Sequence, residues 1–304
     1  MSNHNRKSTG SRKKLIAGIS ALVIAALAIF LGFQFMSPTA SSSNGVKSVL
    51  TTKKANTYKV SDEEKAYLKN KFDGLEATNP DTIAYVYAPG TKLDEPVVQT
   101  TDNSTYLDKT FDGGNVPYLG TVFMDTDNKK DFSDRLTWLF GHARGSKVAD
   151  SRMFNDVNYY SDQSFFDKHK YVVIETPQRK YYYEALAMVI VPEDTAFYRT
   201  SFESDKDFKQ QLDIIYDQAS VKNKDLKVSA SDKYLVLSTC REEDETIRAN
   251  LYLRQIPDSE MSDFVAFFSY RFFRTGHRSW WCRRRSGRSV CFLPSASVSS
   301  GSVP

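Results

Sequence analysis

Three residue types in this chain could together perform acyl transfer: a thiol, an imidazole and a guanidinium. Cys240 ends the run Tyr234-Leu-Val-Leu-Ser-Thr-Cys240, in which Leu235, Leu237 and Thr239 alternate with Tyr234, Val236 and Ser238. That period of two predicts a half-buried strand with the cysteine at its end. After the acidic connection Arg241-Glu-Glu-Asp-Glu245, a second alternating run, Ile247 to Ile256, places Ile247, Ala249, Leu251 and Leu253 on one face and Arg248 on the other. Two neighbouring strands joined this way can set a thiol beside a guanidinium. A thiolate is helped by a nearby cation, and an acyl-transfer oxyanion needs fixed donors. The matching base is His142, which follows Leu136-Thr-Trp-Leu-Phe140 and Gly141 and so also stands just past an apolar strand. A Cys and a His far apart in sequence, each at a strand end, is how a nucleophile and base meet.

Each residue has a plainer reading. A lone cysteine at a strand end is commonly a small buried hydrophobe, and Arg248 has an ion-pair role open to it among Glu242 to Glu245. The other histidines are poorer bases: His4 and His277 lie near the two ends, and His169 sits in Asp167-Lys-His-Lys170, which reads as a solvated charged turn. Ser238 and Thr239 read as strand residues that orient the cysteine and are candidates for substrate contact. Tyr181-Tyr182-Tyr183 reads as packing on a sheet.

Leu237-Ser-Thr-Cys240 with Arg248 downstream and Gly141-His142 upstream resembles the sortase signature. Asn79-Pro-Asp-Thr-Ile-Ala-Tyr85, Pro89-Gly-Thr91, Pro96-Val-Val-Gln99 and Met153-Phe154 resemble the class B branch, over about Ser61 to Ile256. One departure is Ala143, where many class B members carry Asn. The resemblance implies a mainly β protein, a closed barrel of about eight strands, with an N-terminal helix and a helix before the cysteine strand. It implies a membrane-anchored cysteine transpeptidase of Gram-positive bacteria, with His142, Cys240 and Arg248 catalytic. Cys240 would attack the carbonyl after a Thr in the C-terminal sorting signal of a surface protein or pilin. The thioacyl enzyme would pass its acyl group to an amine, of a peptidoglycan precursor or a pilin Lys. The acidic run Glu242 to Glu245 tilts that choice toward a basic pilin surface, against the competing reading of a solvated loop. Two other classes stay open: a thiol hydrolase or protease using water, and a non-catalytic surface barrel.

The 304 residues carry a formal net charge of +4, with basic residues gathered at both ends, and nothing in that balance suggests a nucleic-acid partner. No Walker loop, dinucleotide glycine fingerprint, EF-hand or paired zinc-ligand spacing is present, so neither metal nor organic cofactor is expected. The cysteines are Cys240, Cys282 and Cys291. The central domain therefore holds one thiol and no disulfide of its own.

The expected organisation is a basic cytoplasmic tail (1–14), a transmembrane signal anchor (15–36), a linker (37–60), a catalytic domain (61–263) and an Arg/Ser-rich tail (264–304). Leu15 to Phe33 is apolar and uncharged, near the roughly 20 residues a spanning helix needs. Its basic N-terminal flank places the catalytic domain outside the cell membrane; a cleaved signal peptide is the competing reading. Ser37 to Lys59 is polar and tether-like. Ser61-Asp-Glu-Glu64 fits a capping box ahead of Leu68, Phe72 and Leu75 at helical spacing. Phe208, Leu212, Ile215, Tyr216 and Ala219 predict a second helix face. Strands are expected at Ile83–Tyr87, Val97–Gln99, Thr121–Met124, Leu136–Phe140, Tyr171–Thr176 and Tyr181–Val191. Past about Phe267 arginine replaces lysine and no period survives, which reads as a tail that is not native; a basic arm binding anionic lipid or wall polymer is the competing reading.

Overall fold

A computed structural model of the chain describes residues 58–143, 152–241, 243–261 and 264, and the backbone of 281–285 and 288–292. The chain divides into two compact units, Met1–Lys54 and Ala55–Pro304, and all described residues belong to the second. The expected basic tail, membrane anchor and most of the linker therefore lie outside the described residues. Among the described residues no helix is long and apolar enough to cross a membrane.

Helix α1 (Asp62–Thr78) begins where the capping pattern places it: Ser61 Oγ accepts from Glu64 N at 3.1 Å. The box is only half formed, because the Glu64 carboxylate turns to the Tyr58 hydroxyl and to Lys180 N instead. Three acidic residues in the first turn suit the positive end of the helix dipole. Leu68 and Phe72, four apart, are its buried face. The helix runs past Gly74 to Thr78. A single interior glycine costs only about 1 kcal/mol; Pro80, one residue beyond the Asn79 cap, is the stronger stop.

Nine strands of one sheet follow: β1 (Thr82–Tyr87), β2 (Asp94–Val98), β3 (Val122–Met124), β4 (Leu136–Phe140), β5 (Tyr171–Glu175), β6 (Lys180–Pro192), β7 (Val221–Lys222), β8 (Tyr234–Cys240) and β9 (Ile247–Gln255). Their pairing order is β1-β2-β3-β4-β8-β9-β6-β5, and β5 pairs back to β1, so eight strands close a barrel. β7, two residues long, is added outside on β6; it is too short to show an alternation. Two pairings are parallel, β2–β3 and β4–β8.

The alternation of the strands sorts most of their side chains between two cores, with a smaller third cluster of Val98, Tyr106 and Phe123. Inside the barrel lie Val97, Val122, Leu139, Leu235, Leu237, Leu251 and Leu253. Outside β4, β8 and β9 lie Trp138, Tyr234, Val236 and Tyr252, covered by Phe208, Leu212 and Ile215 of helix α3 (Asp205–Gln218). Those three helix residues are the face the helical period predicts. Strands β4 and β8 are thus buried on both sides up to their last residues, Phe140 and Cys240, which are partly exposed.

Helix α2 (Gln163–Lys168), capped by Asp162, and the 3₁₀ turns Thr105–Leu107 and Asn155–Ser161 had no signature in the sequence. Each is too short to establish a period. In the Arg-rich tail, Trp281–Arg285 and Arg288–Phe292 pair as an antiparallel hairpin. The sequence had shown no strand period there.

Candidate active site

The barrel brings the three predicted residues to one end of neighbouring strands. The parallel β4–β8 register ends on Phe140↔Ser238. Gly141 N extends it by donating to Ser238 O at 3.2 Å, so His142 comes level with Cys240. On the other side of β8, the antiparallel register pairs Cys240 directly with Arg248. Directly opposed residues project from the same face of a ladder. Cys240 and Arg248 therefore share the outer face, together with Ser238, Asn250 and Tyr252.

His142 is held at several points. Its N–H donates to Met153 Sδ at 3.1 Å and its carbonyl accepts from Phe154 N at 3.1 Å. The ring Nε2 meets Leu107 O at 2.6 Å, and the Tyr118 ring stands edge-on, 6.5 Å away. Tyr118, half-exposed, and Met153 both adopt positive φ, 65° and 61°. Non-glycine residues seldom sit there without a local reason.

Cys240 is a free, half-buried thiol. Burial pushes its pKa above the ordinary thiol value; Arg248 pulls it down, and Glu245 and Glu193 push it up. The cation expected to activate the thiol is present, but burial outweighs it. The main-chain carbonyl of Cys240 accepts from Asn158 Nδ2 at 3.1 Å.

Arg248 donates through Nη2 to Glu193 Oε2 at 2.6 Å and through Nη1 to Glu245 O at 2.5 Å. This carboxylate partner stands just past the end of β6, and from the acidic run that follows Cys240 the contact is to the Glu245 main-chain carbonyl. In that run Glu243 is matched by Arg241 at 2.9 Å, and Glu242 lies outside the described residues. Ser238 and Thr239 are both buried; Thr239 Oγ1 has no hydrogen-bond partner among the described residues. His169 departs from the solvated turn expected of it. It is 8% exposed, its ring lies 4.4 Å from Phe165, and Nδ1 meets Pro89 O at 3.3 Å. The short helix α2 carries Phe165 under the ring, a contact the charged sequence around His169 concealed.

Four contributors at this end of the barrel had no place among the residues singled out from sequence: Leu107, Asn158, Glu193 and Tyr118. Leu107 acts through its main chain, which leaves no sequence signal. The others arrive on loops or 3₁₀ turns with no periodicity. Among the described residues no group of three or more His, Cys, Asp or Glu side chains is placed to hold a metal.

No family model matches the chain. It is 32% identical over 176 residues to a sortase B of Staphylococcus aureus, covering 58% of this chain and 70% of that protein. It is 28% identical over 203 residues to a sortase B of Listeria monocytogenes, covering 67% and 78%. A crystal structure of Staphylococcus aureus sortase B superposes with a TM-score of 0.58 at 29% identity, covering 64% of this chain and 90% of that one. A sortase B–substrate complex from the same organism gives 0.56 at 29%, covering 62% and 86%. A closed eight-stranded barrel, a thiol opposite a guanidinium and this extent of shared sequence lead to one conclusion: the chain belongs to the class B sortases and is a cysteine transpeptidase.

Proposed function

We propose that Cys240 is the nucleophile, His142 the general acid–base and Arg248 the oxyanion donor of a transpeptidase acting on C-terminal sorting signals. The observation that carries this is the double register at β8, which sets Cys240 opposite Arg248 and level with His142. Cys240, as thiolate, attacks the carbonyl after a Thr. Its S–C bond forms and the peptide C–N bond breaks, while the His142 imidazolium gives its proton to the leaving amine. The incoming amine then attacks the thioacyl carbonyl, passes a proton to His142 and releases the thiolate. Arg248 donates to the carbonyl oxygen as charge develops on it in both halves.

A relative solved as a substrate complex supports the sorting-signal reading. The acceptor is a primary amine. A relative crystallised in complex with triglycine favours a flexible peptide amine, as of a wall precursor, over a Lys on a folded pilin. The pairing of Glu243 with Arg241 also weakens the steering of a basic pilin surface. Residues 15–36 anchor the domain at the outer face of the cell membrane, beside emerging substrates.

The test is to incubate the chain with a library of sorting peptides, with and without triglycine, and to follow products by mass spectrometry. An acyl adduct on Cys240 that triglycine resolves into a ligated peptide supports the reading. Release of free acid alone, unaffected by triglycine, identifies a hydrolase. No adduct with any peptide sinks the assignment.

A further inference from the structure

The contact between His142 Nε2 and Leu107 O at 2.6 Å decides which ring nitrogen can work. A carbonyl oxygen has no proton to give, so Nε2 carries the hydrogen in both the neutral and the cationic ring. Nδ1 is then the nitrogen that gains and loses a proton.

The carbonyl is itself held in place. Leu107 closes a 3₁₀ turn whose start is tied down by Asp102. The Asp102 carboxylate accepts from Ser104 N at 2.8 Å, Thr105 N at 2.7 Å and the two hydroxyls at 2.8 Å. On the other side, Thr121 N donates to Tyr106 O at 3.0 Å. Gly120, at φ +50°, passes between this turn and the histidine. A Cβ there would lie 2.6 Å from Leu107 O, 2.7 Å from Tyr106 O and 3.1 Å from His142 Cδ2. Two of those three atoms are backbone and cannot swing aside, so a side chain at 120 must push the turn, the ring or both.

The geometry points to Gly120 and the Leu107 main chain as the positioning elements of His142. They fix its neutral ring as the Nε2–H tautomer and leave Nδ1 to exchange the proton with Cys240 and with the two amines. This rests on the reading of His142 as acid–base and adds to it the atom used and what selects that atom. The effect of Gly120 passes through the carbonyl and the ring.

Two measurements test this. In the full chain labelled with ¹⁵N-histidine, ring proton–nitrogen correlations at alkaline pH report the tautomer directly. His142 is assigned by difference against His142→Gln, since His4, His169 and His277 remain. A single Nε2–H form is expected; a predominant Nδ1–H form, or an average of the two, overturns the proposal. The second measurement compares Gly120→Ala with Gly120→Asn. Both add the Cβ, but Asn tolerates positive φ far better. Displacement of the carbonyl predicts that both lose about 10- to 100-fold in kcat. KM should stay within about twofold, because ground-state binding is untouched, and the single tautomer should disappear. Normal kcat in Gly120→Asn would mean that the position needs only its φ, and the positioning role fails. Should a variant unfold, the wild-type spectrum still decides. Undiminished transfer by His142→Ala would sink the acid–base reading alone, since the tautomer is measured without turnover.

Discussion

Arg248 donates to the Glu193 carboxylate at 2.6 Å while standing directly across the ladder from Cys240. One guanidinium thus holds an anion that is always present and, in the proposed mechanism, would also serve the one that forms at Cys240. Glu193 is more than half exposed, and such pairs contribute only about 0–1 kcal/mol to stability. Its effect is therefore on orientation. Arg248→Lys keeps the charge but loses the fork, and should lower kcat by at least ~10²-fold, the usual scale for an oxyanion donor. Glu193→Gln should cost less, about 10-fold or under, corresponding to roughly 1.4 kcal/mol. Steady-state kinetics and thermal melts on both variants check this. A large loss of stability with near-normal turnover in Arg248→Lys would show the arginine to be structural.

The raised thiol pKa has a sign that can be measured. Burial is its largest cause, so Cys240 holds its proton past the usual thiol range. Alkylation by iodoacetamide should accelerate by about tenfold per pH unit to beyond pH 8.5, with no plateau near neutrality. Arg248→Gln removes the attraction that lowers the pKa and should slow alkylation further at every such pH. The folded thiol is protonated to higher pH than the unfolded one. The stability this contributes is therefore present below the unfolded value, about 8.5, and is lost as pH rises through the folded pKa. Melts of wild type against Cys240→Ser across this range would show it; a plateau at neutral pH would contradict it.

Cys240→Ala should abolish transfer while the fold survives, because the side chain is only half buried at a strand end. His142→Ala should lower kcat by roughly 10²–10⁴-fold. Circular dichroism and peptide transfer on purified variants separate folding from chemistry. Transfer retained by Cys240→Ala would refute the nucleophile assignment.

Asn158 reaches Cys240 through the main chain, donating to its carbonyl at 3.1 Å. Asn158→Ala should weaken the hold on the strand end, costing about 1 kcal/mol of stability. A drop in kcat of about 3- to 10-fold, on the same energy scale, is expected with it. Unchanged kcat together with the stability loss would limit Asn158 to a structural role.

The domain extends slightly beyond the limits read from the sequence. Arg179 lies over the Tyr58 ring at 5.0 Å, and Phe264 packs edge-on against Tyr171 at 5.1 Å. A chain limited to residues 58–264 should fold and keep peptide-level activity, whereas one limited to 61–263 should melt lower. Aggregation of the 58–264 chain, with an active longer chain, would show that the Arg-rich tail is required.

Strands β1, β4, β5, β6, β8 and β9 and both long helices were legible because each runs over enough residues to bury a face, whereas β7 and the tail hairpin were not. Leu235 and Leu237 entered the barrel while Tyr234 and Val236 entered the outer core, as the alternation of β8 requires. The Cys240–Arg248 pairing was legible because only a short connection joins β8 to β9. The setting of His142 was not. It depends on a main-chain carbonyl at residue 107, on a glycine chosen for what its missing Cβ would strike, and on strand pairings whose partners lie far apart in sequence. Glu193, the carboxylate that Arg248 meets, was not legible either, because it comes from beyond β6, 55 residues away, and no period marks it.

The β4–β8 pairing joins segments about a hundred residues apart in sequence, and it is the contact that brings His142 level with Cys240. Contacts of such separation carry the largest loop-closure cost and tend to form late. In a chain that folds in this order, Cys240 would be present before His142, its proposed base, comes level with it. Competence to cleave and join peptides arises only when the barrel closes, so assembly of the fold itself acts as the safeguard against acylation by an unfinished enzyme.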